Sequence, residues 1–249
     1  MSLSLNEINI IRNASILKGL DEQSFQLVLE SAKIKKLGDG EYYFLAEEPA
    51  THAYILLDGK VKLAQVTTDG QQVILGYLVP GRVYGIIAIL KKVTYPVSAQ
   101  AVGNCKALVW DQATLNHLME ASPRIALNSL RLMSGQIREF QNRVRDLSTK
   151  HVEQRVARAI LRLARQSGKK VDEGVLIDLP LSRQDLAEMS GTTLYTVSRV
   201  FTEWEKSGLT RSQRQKVIIT NPHGLVVLAE DLPQAAQQAV IEPDDLCDL

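Results

Sequence analysis

The hydrophobic residues between positions 34 and 110 come in short runs rich in Val, Ile, Leu and Tyr, with glycines between the runs. Turn signals at this regular spacing predict an all-β roll or barrel. Within it, Asp58-Gly59 predicts a two-residue hairpin, because this pair supplies the positive φ angles that such a turn requires. Asp69-Gly70 repeats the signal further along the chain.

Helical spacing flanks the predicted roll on both sides. Residues 6–33 predict helices with a break at Gly19, and Asp21 is placed to cap the helix that follows. After Trp110 a long helical stretch carries one narrow apolar seam with spacings of 3 and 4 residues. The seam residues are Leu130, Met133, Ile137, Phe140, Val144 and Leu147. Such a seam favours a parallel two-helix dimer contact, and a helix packed on its own domain is the alternative.

The stretch that begins at Ser182 carries the most specific pattern in the chain, that of a helix-turn-helix. Ser182 and Asp185 have the spacing of a capping box, which begins the first helix. Ala187 is small where the second helix crosses, Gly191 permits a left-handed turn, and Val197 fills the space between the helices. Because capping, spacing and apolar core agree, the pattern indicates DNA binding; the alternative is a helical hairpin with one exposed arginine.

The segments around this motif predict the rest of a winged domain. A helix at residues 151–166, a polar loop at 168–173 and a short strand at 175–179 precede it. A basic tip at residues 211–216 and a strand-like run at 217–220 follow it, as in a winged helix-turn-helix whose hairpin tip lies near DNA phosphates. A solvated hairpin without DNA contacts is the alternative.

The second helix of the motif has an outer face that would enter the major groove. Arg199 can donate two hydrogen bonds to guanine O6 and N7, while Ser198 and Tyr195 can contact base edges or phosphates. The predicted DNA-binding residues on this helix and on the wing are Thr193, Leu194, Tyr195, Ser198, Arg199, Thr202, Arg211, Arg214 and Lys216.

The distribution of charge along the chain agrees with a nucleic-acid partner. The net charge is +1, but residues 148–225 hold 13 Lys and Arg against 8 Asp and Glu, whereas residues 226–249 hold 0 against 6. A basic segment beside an acidic tail favours a polyanion as the partner of the basic segment.

Several classes of protein are not expected. Cys105 and Cys247 are too few for a disulfide framework and lack the paired spacing of a zinc or iron–sulfur site. No P-loop, metal-ligand spacing, nucleophile elbow or acid/base pair indicates an enzyme. No apolar run approaches the roughly 20 residues that span a bilayer, and the first residues lack the basic-then-apolar order of a signal peptide. We therefore expect a soluble, cytoplasmic protein without catalytic activity.

A β-roll, a long helix and a winged helix-turn-helix, in this order, resemble the Crp/Fnr family of transcription regulators over about residues 17–220. The resemblance implies an α+β fold with an amino-terminal double-stranded β-helix or jelly-roll sensor domain at residues 1–120. A dimerisation helix at 121–148, a winged helix-turn-helix at 149–225, and a C-terminal helix with an acidic tail at 226–249 follow. It also implies a homodimer on a near-palindromic operator, with half-sites one helical turn apart, and RNA polymerase as a partner.

One departure from the family pattern lies on the recognition helix. The family's guanine-reading arginine corresponds to Arg199, and the contact residue before it corresponds to Ser198. The glutamate that commonly stands four residues before that arginine is Tyr195 here. A carboxylate accepts a hydrogen bond from cytosine N4, which a tyrosine cannot imitate with the same geometry. We therefore expect the operator to differ from the family consensus at that base pair.

A second departure concerns the effector pocket. The cyclic-AMP-binding members hold the phosphate and ribose with a Gly-Glu pair and an Arg-Ser-Ala run. The matching positions are Gly85-Ile86 and Val97-Ser98-Ala99. Because the carboxylate and the guanidinium are both lost, we do not expect cyclic AMP to bind.

An apolar run at residues 83–90 stands where those contacts would be. It forms solid core, which we favour, or lines a pocket for an apolar ligand or haem, although the four histidines show no pairing that nominates a haem ligand. The iron–sulfur sensors of the family need clustered cysteines near the amino terminus, whereas the first cysteine is Cys105. The effector is thus unknown, or there is none.

The leading hypothesis is a sequence-specific DNA-binding transcription regulator. The alternative is a cyclic-nucleotide-like ligand-binding regulatory module that acts through a protein partner. Charged residues at the phosphate site and a neutral recognition helix would favour the alternative, and the sequence has neither.

Overall fold

The computed structural model describes residues 3–67, 69–213 and 216–231. Two residues singled out above, Arg214 and Cys247, lie outside the described residues. The chain divides into two units, one within Met1–Gln65 and Tyr77–Gln141, the other within Val66–Gly76 and Asn142–Leu249. Among the described residues, no helix combines the length and the apolar character needed to span a membrane.

The first unit begins with the two predicted helices. Its helices are α1 Leu5–Arg12, α2 Glu22–Ser31, α3 Gln112–Ala121 and the first part of α4 Pro123–Thr149, with short 3-10 turns at Ser15–Leu17 and Ile86–Ile89. Asp21 caps α2, as predicted, because its side chain accepts the backbone N–H of Ser24 at 2.8 Å.

An antiparallel sheet forms the roll that the glycine-separated runs predict. Its strands are β1 Lys33–Leu37, β2 Tyr42–Phe44, β3 His52–Val66, β4 Gln72–Leu78, β5 Val83–Tyr84 and β6 Ser98–Asp111. The order is β1-β6-β3-β4, with β2 paired to β6 and β5 to β3. Ile55, Leu56 and Leu108 on the two long central strands are fully buried and form part of one core. Ile55 and Leu56 are adjacent on β3 and so point to opposite faces, which means that the sheet is buried on both faces at this point.

The predicted hairpin at Asp58-Gly59 is wrong. Strand β3 runs unbroken through both residues, and its register against β6 shifts on either side of Asp58. Gly59 does have a positive φ of 85°, but it lies in a β-bulge of β3 and not in a turn. A Cβ at this position would lie 2.4 Å from the Asn104 carbonyl oxygen, so the close approach of β6 also requires glycine.

The hairpin turn predicted at Asp69-Gly70 is confirmed in its position but not in its two-residue length. Gly70 has a φ of 81° and donates its N–H to the Thr67 carbonyl at 2.9 Å. The connection between β3 and β4 is longer than the two residues of the tightest hairpins, because the Thr67 N–H pairs with the Gln71 carbonyl at 2.9 Å.

The second unit is built on a four-stranded antiparallel sheet and a helical layer. Its elements beyond α4 are α5 Val152–Ser167, β7 Gly168–Val171, β8 Gly174–Ile177, α6 Arg183–Ser190, α7 Leu194–Lys206, β9 Thr210–Gln213, β10 Lys216–Ile219 and α8 Pro222–Glu230. The sheet order is β7-β8-β10-β9. Ile160, Leu163, Ile177 and Ile219 are fully buried and join the helices to the sheet.

The polar loop predicted before this sheet is wrong in part. Residues 168–171 form the edge strand β7, which pairs with β8 so that Lys169 lies opposite Leu176 and Lys170 opposite Val175. Both lysines are exposed, as expected on an edge strand, so the segment lacks the apolar alternation that identifies a strand from sequence.

Candidate DNA-binding site

The first helix of the motif, α6, begins and ends as its sequence predicts. The Ser182 hydroxyl accepts the Asp185 N–H at 3.0 Å, and the Asp185 carboxylate accepts the Ser182 N–H at 2.8 Å, which completes the capping box. At its end Gly191 is left-handed, with φ 60° and ψ 50°. Leu186 and Ala187 are buried, so α7 can cross close to the α6 backbone.

The second helix, α7, buries one face completely. It begins after Thr193, whose hydroxyl accepts the Thr196 N–H at 3.2 Å. The buried face consists of Val197, Val200, Phe201 and Trp204, none more than 5% exposed. The Trp204 indole N–H also donates to the Glu153 carboxylate on α5 at 2.8 Å. The orientation of α7 about its own axis is therefore held by packing and by a directed hydrogen bond.

The opposite face of α7 is exposed and holds every residue that the sequence assigned to it. Leu194 is 48% and Tyr195 77% exposed. Thr193, Ser198, Arg199 and Thr202 are exposed as well. Among the described residues Arg199 has no hydrogen-bond or ion-pair partner, whereas the Thr202 hydroxyl donates within the helix to the Ser198 carbonyl at 2.9 Å. Arg199 is thus the side chain on this face with the most unused donors.

The wing is a short antiparallel hairpin of β9 and β10, in which Arg211 lies opposite Ile218. Lys216 is exposed at the start of β10. Arg211 is also exposed, but its guanidinium pairs with Glu173 at 2.7 Å, in the turn between β7 and β8. Lys216 is therefore more available to a DNA phosphate than Arg211. The number of charged residues in the sequence does not show this difference.

Arg183 is a positioning residue that the sequence analysis missed. Its guanidinium lies 3.4 Å from the centre of the Phe201 ring and donates to the Ser212 hydroxyl. It also lies 3.6 Å from the Glu205 carboxylate, which accepts the Ser212 N–H at 3.1 Å. Burial lowers the pKa of the Arg183 guanidinium, and Glu205 opposes that shift. One side chain thus joins α6, the recognition helix and the wing.

Arg155 on α5 is a second positioning residue without a sequence signal. Its guanidinium donates to the carbonyls of Ser190 at 2.9 Å, Gly191 at 3.2 Å and Lys150 at 3.0 Å. The carbonyls at a helix end lack intrahelical partners, so Arg155 satisfies those of the turn between α6 and α7. The same contact joins that turn to the segment that follows α4.

The apolar seam of α4 is exposed along most of its length. Leu130, Ile137, Phe140, Val144 and Leu147 have 63%, 58%, 62%, 48% and 55% of their surface exposed, and Met133 packs partly against the core of the first unit. Within the described chain these five side chains are therefore left largely uncovered.

Most of the positions that correspond to the family's nucleotide pocket are packed against neighbouring residues. Ile86 and Ala99 are buried in the core, and the Ser98 hydroxyl accepts the Ala46 N–H at 2.9 Å. Gly85 has a φ of 69°, and a Cβ there would lie 2.7 Å from the His52 carbonyl oxygen. Val97 is half-buried. This geometry supports solid core for the apolar run.

A cleft of about 380 Å³ does lie in the first unit, at a place that no sequence motif indicated. Its aromatic lining is already packed, since Phe44 and Tyr95 stack with ring centres 3.8 Å apart. The Lys35 ammonium donates to the Tyr43 carbonyl at 3.2 Å and lies 5.7 Å from the centre of the Tyr54 ring. Burial raises the pKa of Tyr43 to about 12. No group of His, Cys, Asp and Glu among the described residues could hold a metal ion.

Comparison with known proteins gives the same two domains in the same order. A cyclic nucleotide-binding domain matches residues 34–122, and a Crp-like helix-turn-helix domain matches residues 154–228. The chain is 28% identical over 204 residues to the transcriptional activator protein anr of Pseudomonas aeruginosa, with 82% of each protein covered. It is 24% identical over 216 residues to the CRP-like cAMP-activated global transcriptional regulator of Mycobacterium tuberculosis, covering 87% of this chain and 96% of the relative.

The fold agrees with a solved structure as well. FixK2 from Bradyrhizobium japonicum has a TM-score of 0.70 and 24% sequence identity, over 79% of this chain and 96% of that one. The antiparallel roll, the long helix and the winged helix-turn-helix therefore form a known α+β architecture. On these domain matches and relatives, the chain belongs to the Crp/Fnr family of transcription regulators and carries the helix-turn-helix DNA-binding domain of that family.

Proposed function

We propose that this chain is a homodimeric regulator whose two α7 helices read a near-palindromic operator, with half-sites one helical turn apart. The observation that supports the proposal is the division of α7 into a fully buried face and an exposed face that contains Arg199. A helix held in this way can present a fixed set of side chains to the major groove. We further propose that Arg199 reads guanine, Ser198 contacts bases or phosphates, and Lys216 contacts phosphates.

The dimer is proposed from the exposed seam of α4. Apolar side chains at alternating spacings of 3 and 4 residues, each about half exposed or more, form a stripe that water solvates poorly. A second copy of the chain presents the same stripe, so a two-fold contact between two α4 helices covers both at once. Charged residues such as Arg138 and Glu139 lie beside the stripe, as expected for the edges of a two-helix contact.

Ile137→Glu tests this contact. We expect the variant to be mainly monomeric and to bind the operator more weakly, because two carboxylates would face each other in the seam. Asn142→Glu places the same charge on an exposed residue of α4 outside the seam and serves as the matched control. Mass from light scattering and operator affinity are measured for both variants. An Ile137→Glu protein with unchanged mass and affinity would contradict the seam.

The proposed regulator does not respond to cyclic AMP, although the relative from Mycobacterium tuberculosis is named as activated by it. Ile86 and Val97 stand where the carboxylate and the guanidinium of cyclic-AMP-binding members would be, and Ile86 is buried in solid core. A cyclic nucleotide would lose its charged contacts and would need space that the core already fills. The effector is a different molecule, or the chain has none.

The remaining assignments follow from the same proposal. Residues 1–120 would act as the sensor domain, 121–148 as the dimerisation helix and 149–225 as the DNA-binding domain, with residues 226–249 after them. The protein would work in the cytoplasm with RNA polymerase as a partner and would have no catalytic activity of its own. A shift of α4 would reach the DNA through Arg155, which joins its C-terminal end to the turn between α6 and α7.

Selection of bound sequences from random DNA duplexes tests the proposed function directly. The purified chain should enrich one near-palindromic sequence with a guanine in each half-site, and the same sequence with and without cyclic AMP. No enrichment over random DNA would contradict a sequence-specific regulator. Enrichment of a single, asymmetric half-site would contradict the dimer, and enrichment that needs cyclic AMP would contradict the effector assignment.

A further inference from the structure

The first turn of α7 exposes two large apolar side chains side by side. Leu194 is 48% and Tyr195 77% exposed. Among the described residues from 150 to 231, they are the only large hydrophobic side chains with this degree of exposure. The other large apolar side chains described between residues 150 and 231 are buried or half-buried, so the chain keeps this pair in solvent at a cost in hydration free energy. An exposed apolar pair of this kind is expected to contact an apolar group of a binding partner.

The place of this pair on the helix limits what the occupant can be. Tyr195 is four residues before Arg199, and Leu194 is four residues before Ser198. Residues four apart on a helix are neighbours on one face, with Cβ atoms about 5–6 Å apart. The pair therefore lies beside the guanidinium that reads guanine, at the N-terminal end of the helix that contacts base edges. One base-pair step is about 3.4 Å, so the pair faces a base pair one or two steps from that guanine.

The major groove offers one apolar group to such a pair. Guanine, adenine and cytosine present only donors and acceptors there, whereas thymine adds its C5-methyl group. Resting on the proposed function, we propose that Leu194 and Tyr195 enclose the C5-methyl of a thymine beside the guanine read by Arg199. The ring of Tyr195 covers the methyl group from one side and Leu194 covers it from the other. Each half-site then carries thymine where a glutamate at position 195 would select cytosine.

Single-atom changes in the DNA test this proposal without changing the protein. The operator from the selection is prepared with deoxyuridine in place of that thymine in both half-sites, which removes the methyl group and keeps every hydrogen-bonding group. Burial of one methyl corresponds to about a fourfold change in affinity. We expect the deoxyuridine operator to bind about fourfold more weakly per half-site. In an operator with cytosine at that position, 5-methylcytosine should restore part of the lost affinity.

Variants of Tyr195 test whether the preference for the thymine methyl group depends on this side chain. Tyr195→Glu should remove the difference between thymine and deoxyuridine and move the selected base toward cytosine, while Tyr195→Phe should keep the difference because the ring remains. Tyr42→Glu makes the same change at a tyrosine that is 44% exposed on the roll and serves as the matched control, with the preference unchanged. Circular dichroism of each variant confirms folding.

The sequence selection and the deoxyuridine measurement distinguish failure of the proposed function from failure of the methyl contact. If the wild-type chain enriches no sequence, the proposed function is wrong, and the methyl contact falls with it. If it enriches an operator that binds equally well with thymine and deoxyuridine, or one with cytosine at that position, the function stands and the methyl contact is overturned. Equal losses for Tyr195→Glu on operator and random DNA would assign the patch to the phosphate backbone and overturn the contact as well.

Discussion

Arg199→Ala is expected to weaken binding to the selected operator by about 1–3 kcal/mol per half-site, and so by twice that amount for a dimer on both half-sites. The reason is that the Arg199 guanidinium is exposed on the outer face of α7 without a partner among the described residues. All its donors are available to guanine O6 and N7. Affinity is measured on the selected operator and on random DNA. Equal losses on the two would mean that Arg199 contacts only phosphate.

Lys216→Ala is the control for this experiment. Lys216 is exposed on the wing, where it can neutralise a phosphate but carries no base information. Its loss should weaken binding to both kinds of DNA by a similar factor and reduce the salt dependence by about one unit of slope per half-site. A loss that is confined to the selected operator would show that the wing, and not α7 alone, reads sequence.

Trp204→Ala is expected to destabilise the DNA-binding unit by about 3–5 kcal/mol, the largest stability effect that we predict. Trp204 is 1% exposed, packs 5.2 Å from the centre of the Phe201 ring, and donates its indole N–H to Glu153 at 2.8 Å. Truncation leaves a cavity between α7 and α5 and a carboxylate without its donor. Urea unfolding followed by far-UV circular dichroism measures the loss.

Two controls separate packing from general damage. Trp204→Phe keeps an aromatic ring but removes the hydrogen bond to a carboxylate, so we expect a smaller loss, with about 1.5–3 kcal/mol from the hydrogen bond. The chain has 2 tryptophans, and the other, Trp110, is buried in the first unit. Its fluorescence in Trp204→Ala therefore reports on the first unit, which should keep its unfolding midpoint. A loss below 1 kcal/mol for Trp204→Ala would contradict the role of this indole in holding α7.

Local sequence alone determined the helix-turn-helix. Ser182 and Asp185 cap α6 as predicted, Gly191 takes the left-handed turn, and Val197 is buried between the helices. These features could be predicted because each depends on residues within one or two helical turns. The outer face of α7 follows from the same spacing, since burying one face of a helix exposes the opposite one.

At two other places the local sequence permits more than one conformation, and pairing with another strand selects the one observed. Gly59 has the positive φ that its sequence indicates, but the pairing of β3 with β6 makes it a bulge instead of a turn. Lys169 and Lys170 form an edge strand only because β8 lies beside them. For Gly59 the partner strand is distant in the chain, whereas for β7 it is the next strand; in both cases the pairing selects among conformations that the local residues permit.

The sequence by itself thus determined the class of protein, the DNA-binding motif and the apolar seam of α4, because those signals are periodic and local. Only the tertiary structure decided which of the arginines named here are held by partners and which is exposed. Arg183 and Arg155 are held by Phe201 and by the carbonyls of Ser190 and Gly191, whereas Arg199 is left to solvent. Arginines look alike in a sequence, and their roles follow from the partners that folding brings within hydrogen-bond distance.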